Sequence, residues 1–503
     1  MSGIFCYLGN DISKDKLEMS FRAISHRGNH HDFSAYQFLE NDVIWIGSIF
    51  PQIIKNSANP LIIDKVLLTG EIKLYNHKKL NKKYFPNTKI KVSGELIIQL
   101  YQKIGFEKMI TLLDGQFAFL LWDDTTIYIA RDPLGIKPMF IGMKQGKLTA
   151  LASEFKALHH LCPQLGIFPP GTFMVHSSTQ SQLVRYFHYP DSYYSPLFPE
   201  VLGKVNKLLR KSLRKRVLKK DKVIQLFYDG TIGSQILLHL SFELFKERIC
   251  VYSILMKEKK GEKKEEKKEE EKKEQDEKTF LELFLQTHKI KHVQILFSMK
   301  EGIDAIPKVI KTLETYDVDT IRSAVPLFIF ANYLINNDLH SPIFSGLGIS
   351  ELFMAYSELQ FSEHQTSFIK SEYLLQKLHQ FDLLKFERIF SAQQINTKFP
   401  FLDKQLVRYL LTISGKLRIP SKKYWIPTSI IPHLKVEYPQ KLWIQSLEKE
   451  AATYSHKTFS YYNTPITKEE VYYRTIFERY FPKRAKLILK YPMFNRKLCL
   501  SPN

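Results

Sequence analysis

The stretch V-I-Q-L-F-Y-D-G-T-I-G-S-Q-I-L-L-H-L, Val223 to Leu240, decides how the rest of the chain is read. Val223, Ile224, Leu226 and Phe227 form the short apolar run of a buried parallel strand. Tyr228 to Gly233 turns the chain, and from Ser234 onward Ile236, Leu237 and Leu240 recur at helical spacing. Strand, small-residue loop and helix together aim backbone N–H groups and a helix N-terminus at a phosphate. A working cradle has Gly or Ser at nearly every loop position, so that backbone can approach the anion. Here Tyr228 is bulky and Asp229 is acidic. The loop reads either as an ordinary βα turn or as a phosphate cradle worn away.

Outward from this stretch the alternation continues. Arg248–Leu255 predicts a second buried strand, and Val293–Phe297 and Ser341–Phe344 predict two more, with helical segments between them. That is the pattern of a doubly wound α/β sheet. Glu200–Val217 predicts an amphipathic, Lys- and Arg-rich helix leading into the opening strand, and from Ser367 the pattern is helical. Lys257–Lys278 interrupts the sheet with ten basic and ten acidic residues and nothing apolar, so it reads as a solvated helical insertion. The first half differs. Ile4–Leu8, Val43–Ile49, Lys65–Thr69, Phe117–Trp122, Thr126–Arg131, Pro138–Met143 and Leu148–Ser153 predict strands, and Leu96–Gly105 and Phe106–Leu113 predict helices. Phe187–Pro199, rich in Tyr, Ser and Pro, is the natural linker.

With 503 residues the chain is long enough for two or three domains with buried cores. Cys6, Cys162, Cys250 and Cys499 have no metal-ligand or paired spacing, which suits a reducing compartment. No early segment joins a basic start to an apolar core, and no uninterrupted apolar run reaches about 18 residues. A cytoplasmic chain with no membrane partner is the expectation. The net charge of +22 suggests nucleic acid, but the lysines are spread along the chain and no nucleic-acid module interleaves them with aromatics. No nucleic-acid partner is expected.

Read in order, the short words of the chain resemble the glutamine-hydrolysing asparagine synthetase family. They run from S-G-I at Ser2 and H-R-G at His26 through N-S-A-N-P-L at Asn56, T-G-E-I at Thr69 and L-D-G-Q-F-A-F at Leu113 to A-R-D-P-L-G-I-K-P at Ala130. A-S-E-F-K-A-L at Ala152, E-T-Y-D-V-D-T-I-R-S at Glu314, S-G-L-G-I-S-E-L-F at Ser345, F-P-F-L-D-K at Phe399 and Y-N-T-P-I-T-K-E-E at Tyr462 follow. The resemblance implies an α/β and α+β protein of two domains. Residues 1–190 would form a four-layered αββα sandwich of the type 2 glutamine amidotransferase kind, and 200–503 a doubly wound α/β synthetase domain with a helical tail. In the family, glutamine is hydrolysed in the first domain and ammonia passes to the second. There ATP and Mg²⁺ activate aspartate as an adenylate, which ammonia attacks. The implied partners are glutamine, aspartate and ATP, together with a homodimer or an active paralogue.

Carried over position by position, the resemblance implies degenerate sites. Ser2 stands at the nucleophile, where the family has cysteine, and a hydroxyl is a far weaker nucleophile than a thiol. Phe50 stands for the arginine that grips the glutamine carboxylate, and Ser93 for the aspartate that holds its amino group. Thr69, before Gly70 and Glu71, stands for the asparagine of the oxyanion hole, where losing one donor costs about 10²–10³ in rate. Cys6 lies on the strand and reads as core. Gly28, Gly70, Asp114, Gly115, Arg131, Asp132, Gly135, Lys137 and Glu154 persist and read as turn, packing and ion-pair residues.

In the synthetase half, Y-D-G-T-I-G-S keeps Gly230 and Ser234 of the family's S-G-G-L-D-S-S, with Ile232 at the aspartate. S-G-L-G-I-S-E keeps Ser345, Gly346, Gly348 and Glu351, with Leu347 and Ser350 at acidic positions. Mg²⁺ wants hard oxygen ligands, so no metal site is expected, and ATP and Mg²⁺ are expected to bind weakly or not at all. Phe227, Ile254, Ser345 and Gly346 match positions around adenine and ribose, and Arg322 survives in T-I-R-S, with Asp319 where the family has threonine. The family's basic R-Q-K loop is missing between Tyr438 and Trp443. Three readings stay open: a binding or regulatory protein that has lost both chemistries, a working synthetase with atypical side chains or one using ammonia directly, and an altered chemistry in the same cleft.

Overall fold

The structure is a computed structural model that describes residues 2–37, 43–50, 60–177, 180–190, 194–218, 221–257, 281, 284–355, 364–418, 425–431 and 467–485. The expected insertion Lys257–Lys278, beyond Lys257 itself, and the Tyr438–Trp443 segment lie outside the described residues.

The first half contains two six-stranded sheets. One has β1 (Gly3–Leu8) between β3 (Val43–Phe50) and β9 (Lys147–Ala152), flanked by β2 (His30–Gln37), β8 (Phe140–Lys144) and β10 (Gln164–Ile167). The other runs β12 (Ser181–Arg185), β11 (Thr172–His176), β7 (Ile127–Arg131), β6 (Gly115–Trp122), β5 (Val66–Leu74), β4 (Leu61–Ile63). Their facing surfaces share a core in which Ile4, Cys6, Ile44 and Ile46 meet Leu67, Leu120, Ile127 and Ile129. On the outer face of the second sheet lie α2 (His77–Tyr84), α3 (Ser93–Ile104) and α4 (Phe106–Leu112), whose Leu96, Leu100 and Met109 pack on Phe117, Phe119 and Phe173. Helix α1 (Lys14–Arg22) covers the outer face of the first sheet through Leu17 and Phe21. This is the expected αββα layering. Period-two burial of apolar residues drives it, because each strand has one face for the shared core and one for its helices.

After α5 (Phe198–Arg216) comes a parallel sheet in the order β15 (Lys291–Phe297), β14 (Ile249–Met256), β13 (Ile224–Phe227), β16 (Ile343–Phe344), β17 (Thr397–Lys398). Helix α6 (Ile232–Phe245) follows β13, as the opening stretch predicts. Helices α7 (Met299–Leu313), α8 (Val318–Asn336), α9 (His364–Lys377) and α10 (Asp382–Ala392) surround the sheet. Helix α8 is long and apolar enough to cross a membrane by composition, but Ala324, Phe330, Ala331 and Leu334 are buried in the core.

Two expectations need correction. The region after Ser367 is not wholly helical, because Thr397–Lys398 adds a fifth strand too short and too polar to stand out. Strand β5 continues to Leu74, well past Thr69, and so carries Glu71 and Lys73 in register opposite Ala118 and Gln116. Their charges hid it.

Candidate functional site

The two motif loops of the second half meet through glycines. A Cβ built on Gly233 would lie 2.1 Å from the Gly346 carbonyl oxygen, and one on Gly346 would lie 2.2 Å from the Gly233 carbonyl carbon. No side chain fits at either position. Asp229 turns back on its own loop: its Oδ1 accepts from the Thr231 N–H at 3.1 Å and from the Thr231 hydroxyl at 2.6 Å. Thr231 in turn caps α6, accepting the Ser234 N–H at 3.4 Å, and the Ser234 hydroxyl donates to the Thr231 carbonyl at 2.9 Å. Gln235 donates to the Gly230 carbonyl at 3.1 Å. The Thr231 and Ser234 donors of this loop thus have internal acceptors, one of them a carboxylate.

Around this contact, Phe227 is buried and stacks on Phe330 with ring centroids 5.2 Å apart, while Ile254 is buried on β14. Ser345 donates its N–H to the Lys398 carbonyl at 3.0 Å, and its hydroxyl accepts from Leu347 at 3.3 Å. Ile232 is buried core at the place where the resemblance puts an aspartate, and Glu351 is buried on a single helical turn, Ile349–Leu352. Among the described residues no group of three His, Cys, Asp or Glu side chains converges as a metal would need. The Arg322 Nε and Nη2 grip the two Glu469 oxygens at 2.9 and 2.5 Å, and Tyr473 donates to the same carboxylate at 2.7 Å.

In the first half, Arg27 is the organising residue. It has no exposed surface, and its Nε holds the Ser2 carbonyl at 2.9 Å. Its other nitrogens reach Glu154 at 2.7 Å, Glu71 at 3.2 Å and, more closely still, Glu387 of α10. Lys137 pairs with Glu71 at 2.6 Å, Lys156 and Arg388 each pair with Glu154 at 2.8 Å, and Arg388 pairs with Glu314 at 2.9 Å. The Glu314 carboxylate also accepts the Phe155 and Lys156 N–H groups at 3.1 and 2.8 Å. Arg27, Lys137, Lys156 and Arg388 therefore face Glu71, Glu154, Glu314 and Glu387 in one buried network that ties the two halves together. Burial alone would penalise these charges. For Arg27, the carboxylates of Glu387, Glu154 and Glu71 outweigh that penalty and raise its pKa. For Glu154, burial is outweighed by Arg388, Lys156 and His26, which hold the carboxyl well below its usual range. Glu71 is lowered likewise against burial, by Lys137 and Arg27.

The network occupies the ground between Ser2 and the retained Glu71. The other expected glutamine-site positions point elsewhere. The Thr69 hydroxyl is 1% exposed and shares a 2.6 Å hydrogen bond with Ser48 of the facing sheet. Phe50 stacks on His30 with centroids 5.4 Å apart. Ser93 opens α3. Gly70 is held to glycine by packing, since a Cβ would lie 2.5 Å from the Ala118 carbonyl oxygen. Glu387 and Arg388 carried no sequence signal, whereas Arg27, Glu314 and Glu469 sat inside matching words as residues of no stated role.

Comparison with known proteins follows the same division. A family profile described as a glutamine amidotransferase domain matches residues 1–183, and one described as asparagine synthase matches residues 204–371 and 358–499. Proteins named asparagine synthetase (glutamine-hydrolyzing) from Pongo abelii and Homo sapiens are 28% and 27% identical to this chain, covering 98% of it and 96% of themselves. A relative of the same name from Arabidopsis thaliana, numbered 3, is 29% identical over 84% of this chain and 76% of its own.

Proposed function

The chain belongs to the asparagine synthase family, and we propose that it is a member in which both half-reactions have been lost, so that it acts as a binding or regulatory protein. The observation that carries this reading is the backbone contact of Gly233 with Gly346. In a cleft that takes a triphosphate, these two loops would have to stand apart.

Other features point the same way. The residues present do not fit Mg-ATP. Ile232, Leu347 and Ser350 offer no carboxylate, and Arg322 is committed to Glu469. Asp229 adds a negative charge where phosphate would sit, and at an effective dielectric near 20 one such charge about 4 Å away opposes binding by roughly 4 kcal/mol before relaxation. At the other site Ser2 has its carbonyl on Arg27, while the Thr69 hydroxyl shares its hydrogen bond with Ser48 rather than with an oxyanion. On this reading residues 1–190 and 200–503 keep the family's two halves as a scaffold. What they bind is a small molecule of the family's kind, an active relative or a second copy of the chain.

A second reading, a synthetase working with atypical side chains or with ammonia, draws on the retained Gly70 and Glu71 beside Arg27 and Ser2. Complementation of a cell unable to make asparagine separates the two. Growth without asparagine supports the working enzyme and refutes the proposal; failure to grow, with the protein present and folded, is the expected result.

A further inference from the structure

A recess opens where strands β8 and β10 of the first half meet the C-terminal end of α7 and the N-terminal end of α10. Phe140, Phe155, Leu165 and Ile167 line it from one half, and Leu313 and Leu384 from the other. It holds about 60 Å³, whereas one water needs about 10–15 Å³, so there is room for several waters or one small ring. Mainly apolar hollows between domains, with a few fixed polar groups, are where small molecules bind. The recess shares one wall residue, Glu314, with the buried ion network.

The charges at its wall are already in use. Arg131 donates from Nε to the Lys137 carbonyl at 2.7 Å, from Nη1 to the Phe168 carbonyl at 2.7 Å and from Nη2 to the Gly135 carbonyl at 3.0 Å. The Glu314 carboxylate accepts the Phe155 and Lys156 N–H groups and pairs with Arg388. A charged ligand would therefore leave water without meeting a free counter-charge, at a cost that apolar contact does not offset.

The open valences are acceptors. His379 is 7% exposed, and its Nδ1 lies 2.9 Å from the Gln376 carbonyl, which can only accept, so Nδ1 carries the proton. Burial, then the Arg131 charge, hold its pKa well below the ordinary imidazole value, which leaves Nε2 as a bare lone pair. The Gln380 amide nitrogen stands 3.5 Å from that lone pair, at the outer limit of a hydrogen bond, and this fixes which way the amide faces. Gln380 Oε1 is then buried with no hydrogen-bond partner among the described residues. A buried acceptor without a donor is uncommon in a folded chain and asks for explanation. Both His379 and Gln380 line the recess.

We propose that this recess is a binding site for a small, uncharged aromatic molecule bearing one hydroxyl or N–H group, which donates to Gln380 Oε1. Phe140 and Phe155 give a flat ring aromatic edges and faces to pack on. The committed charges select against ions, and the unpartnered acceptor selects for a donor. Because the walls come from both halves of the chain, the bound molecule bridges them. The recess uses neither the Gly233–Gly346 loops nor Ser2, so the inference goes beyond the loss of the family's chemistry and stands whether or not that chemistry survives.

Fluorine NMR titration of the full chain with para-fluorophenol, fluorobenzene and para-fluorobenzoate at neutral pH tests this. Fluorophenol should bind saturably and roughly three- to tenfold more tightly than fluorobenzene, the worth of one buried hydrogen bond, and fluorobenzoate should not bind. Gln380→Leu should abolish the preference for fluorophenol while fluorobenzene still binds, which also shows that the variant has folded. Leu384→Trp fills the recess and should abolish binding of both, with the circular dichroism of the parent kept. Absence of saturable fluorophenol binding, fluorobenzoate binding as tightly as fluorophenol, or a preference that survives Gln380→Leu would overturn the proposal. So would binding that survives Leu384→Trp. If the tryptophan variant fails to fold, the ranking of the three probes and Gln380→Leu decide the matter.

Discussion

Gly233 and Gly346 meet so closely that a Cβ on either would overlap the backbone of the other. The resemblance puts a serine at the Gly233 position. Restoring it should not reopen the cleft; it should strain it. We expect Gly233→Ser to destabilise the protein by about 1–3 kcal/mol, as other overpacked sites do, with no gain in nucleotide binding. Urea denaturation and calorimetric titration with Mg-ATP check both halves of this statement.

Arg322 and Glu469 form a two-point ion pair, with side chains 15% and 5% exposed. Removing one partner strands the other in a largely dry site. Glu469→Ala should therefore cost about 3 kcal/mol, and the double variant with Arg322→Ala less than the sum of the two singles. Additive losses in a double-mutant cycle would show that the pair does not hold helix α8 to the segment beginning at Lys468.

The buried network predicts acid sensitivity. Glu154 and Glu71 both have folded pKa values below the ordinary 4.5, so the folded state binds fewer protons there than the unfolded chain. Their contribution is present above that value and is lost as pH falls below it. Stability should thus drop steeply below about pH 4.5, the ordinary carboxyl range. Glu154→Gln should flatten that slope while lowering stability at neutral pH. Chemical denaturation across the acid range measures the slope.

Lys73 predicts the opposite sign. Its folded pKa, about 6, lies below the ordinary 10.5, so between these values the unfolded chain binds the extra proton and stability rises with pH. Below about pH 6 both states are protonated, and the full penalty is present. Lys73→Met should raise stability at pH 7 by an amount on the order of a few kcal/mol. It should also remove the rise between neutral and alkaline pH, measured by chemical denaturation across that range. A variant no more stable than the parent would show that Lys73 carries its charge in the folded state.

Much of this was legible in the sequence. The strand and helix around Val223–Leu240 and the buried strand at Arg248–Leu255 follow from apolar periodicity, which core burial enforces, and the sandwich from the resemblance carried by the matching words. The matching words put Ser2, Phe50, Thr69, Ile232 and Leu347 where the resemblance implies other residues. What each of these side chains touches was not legible. That Gly233 would meet Gly346 depends on two segments over a hundred residues apart, and a glycine looks the same in a loose turn as in a tight contact. Glu387 and Arg388 read as an ordinary helix face because their partners, Arg27 and Glu154, lie in the other half of the chain.

The central claim is that the closed loops no longer activate aspartate, and aspartate-dependent ATP–pyrophosphate exchange tests it most directly. The unaltered, folded chain with Mg-ATP, aspartate and labelled pyrophosphate should give exchange no greater than a control lacking aspartate. Exchange that rises with aspartate concentration would contradict the account.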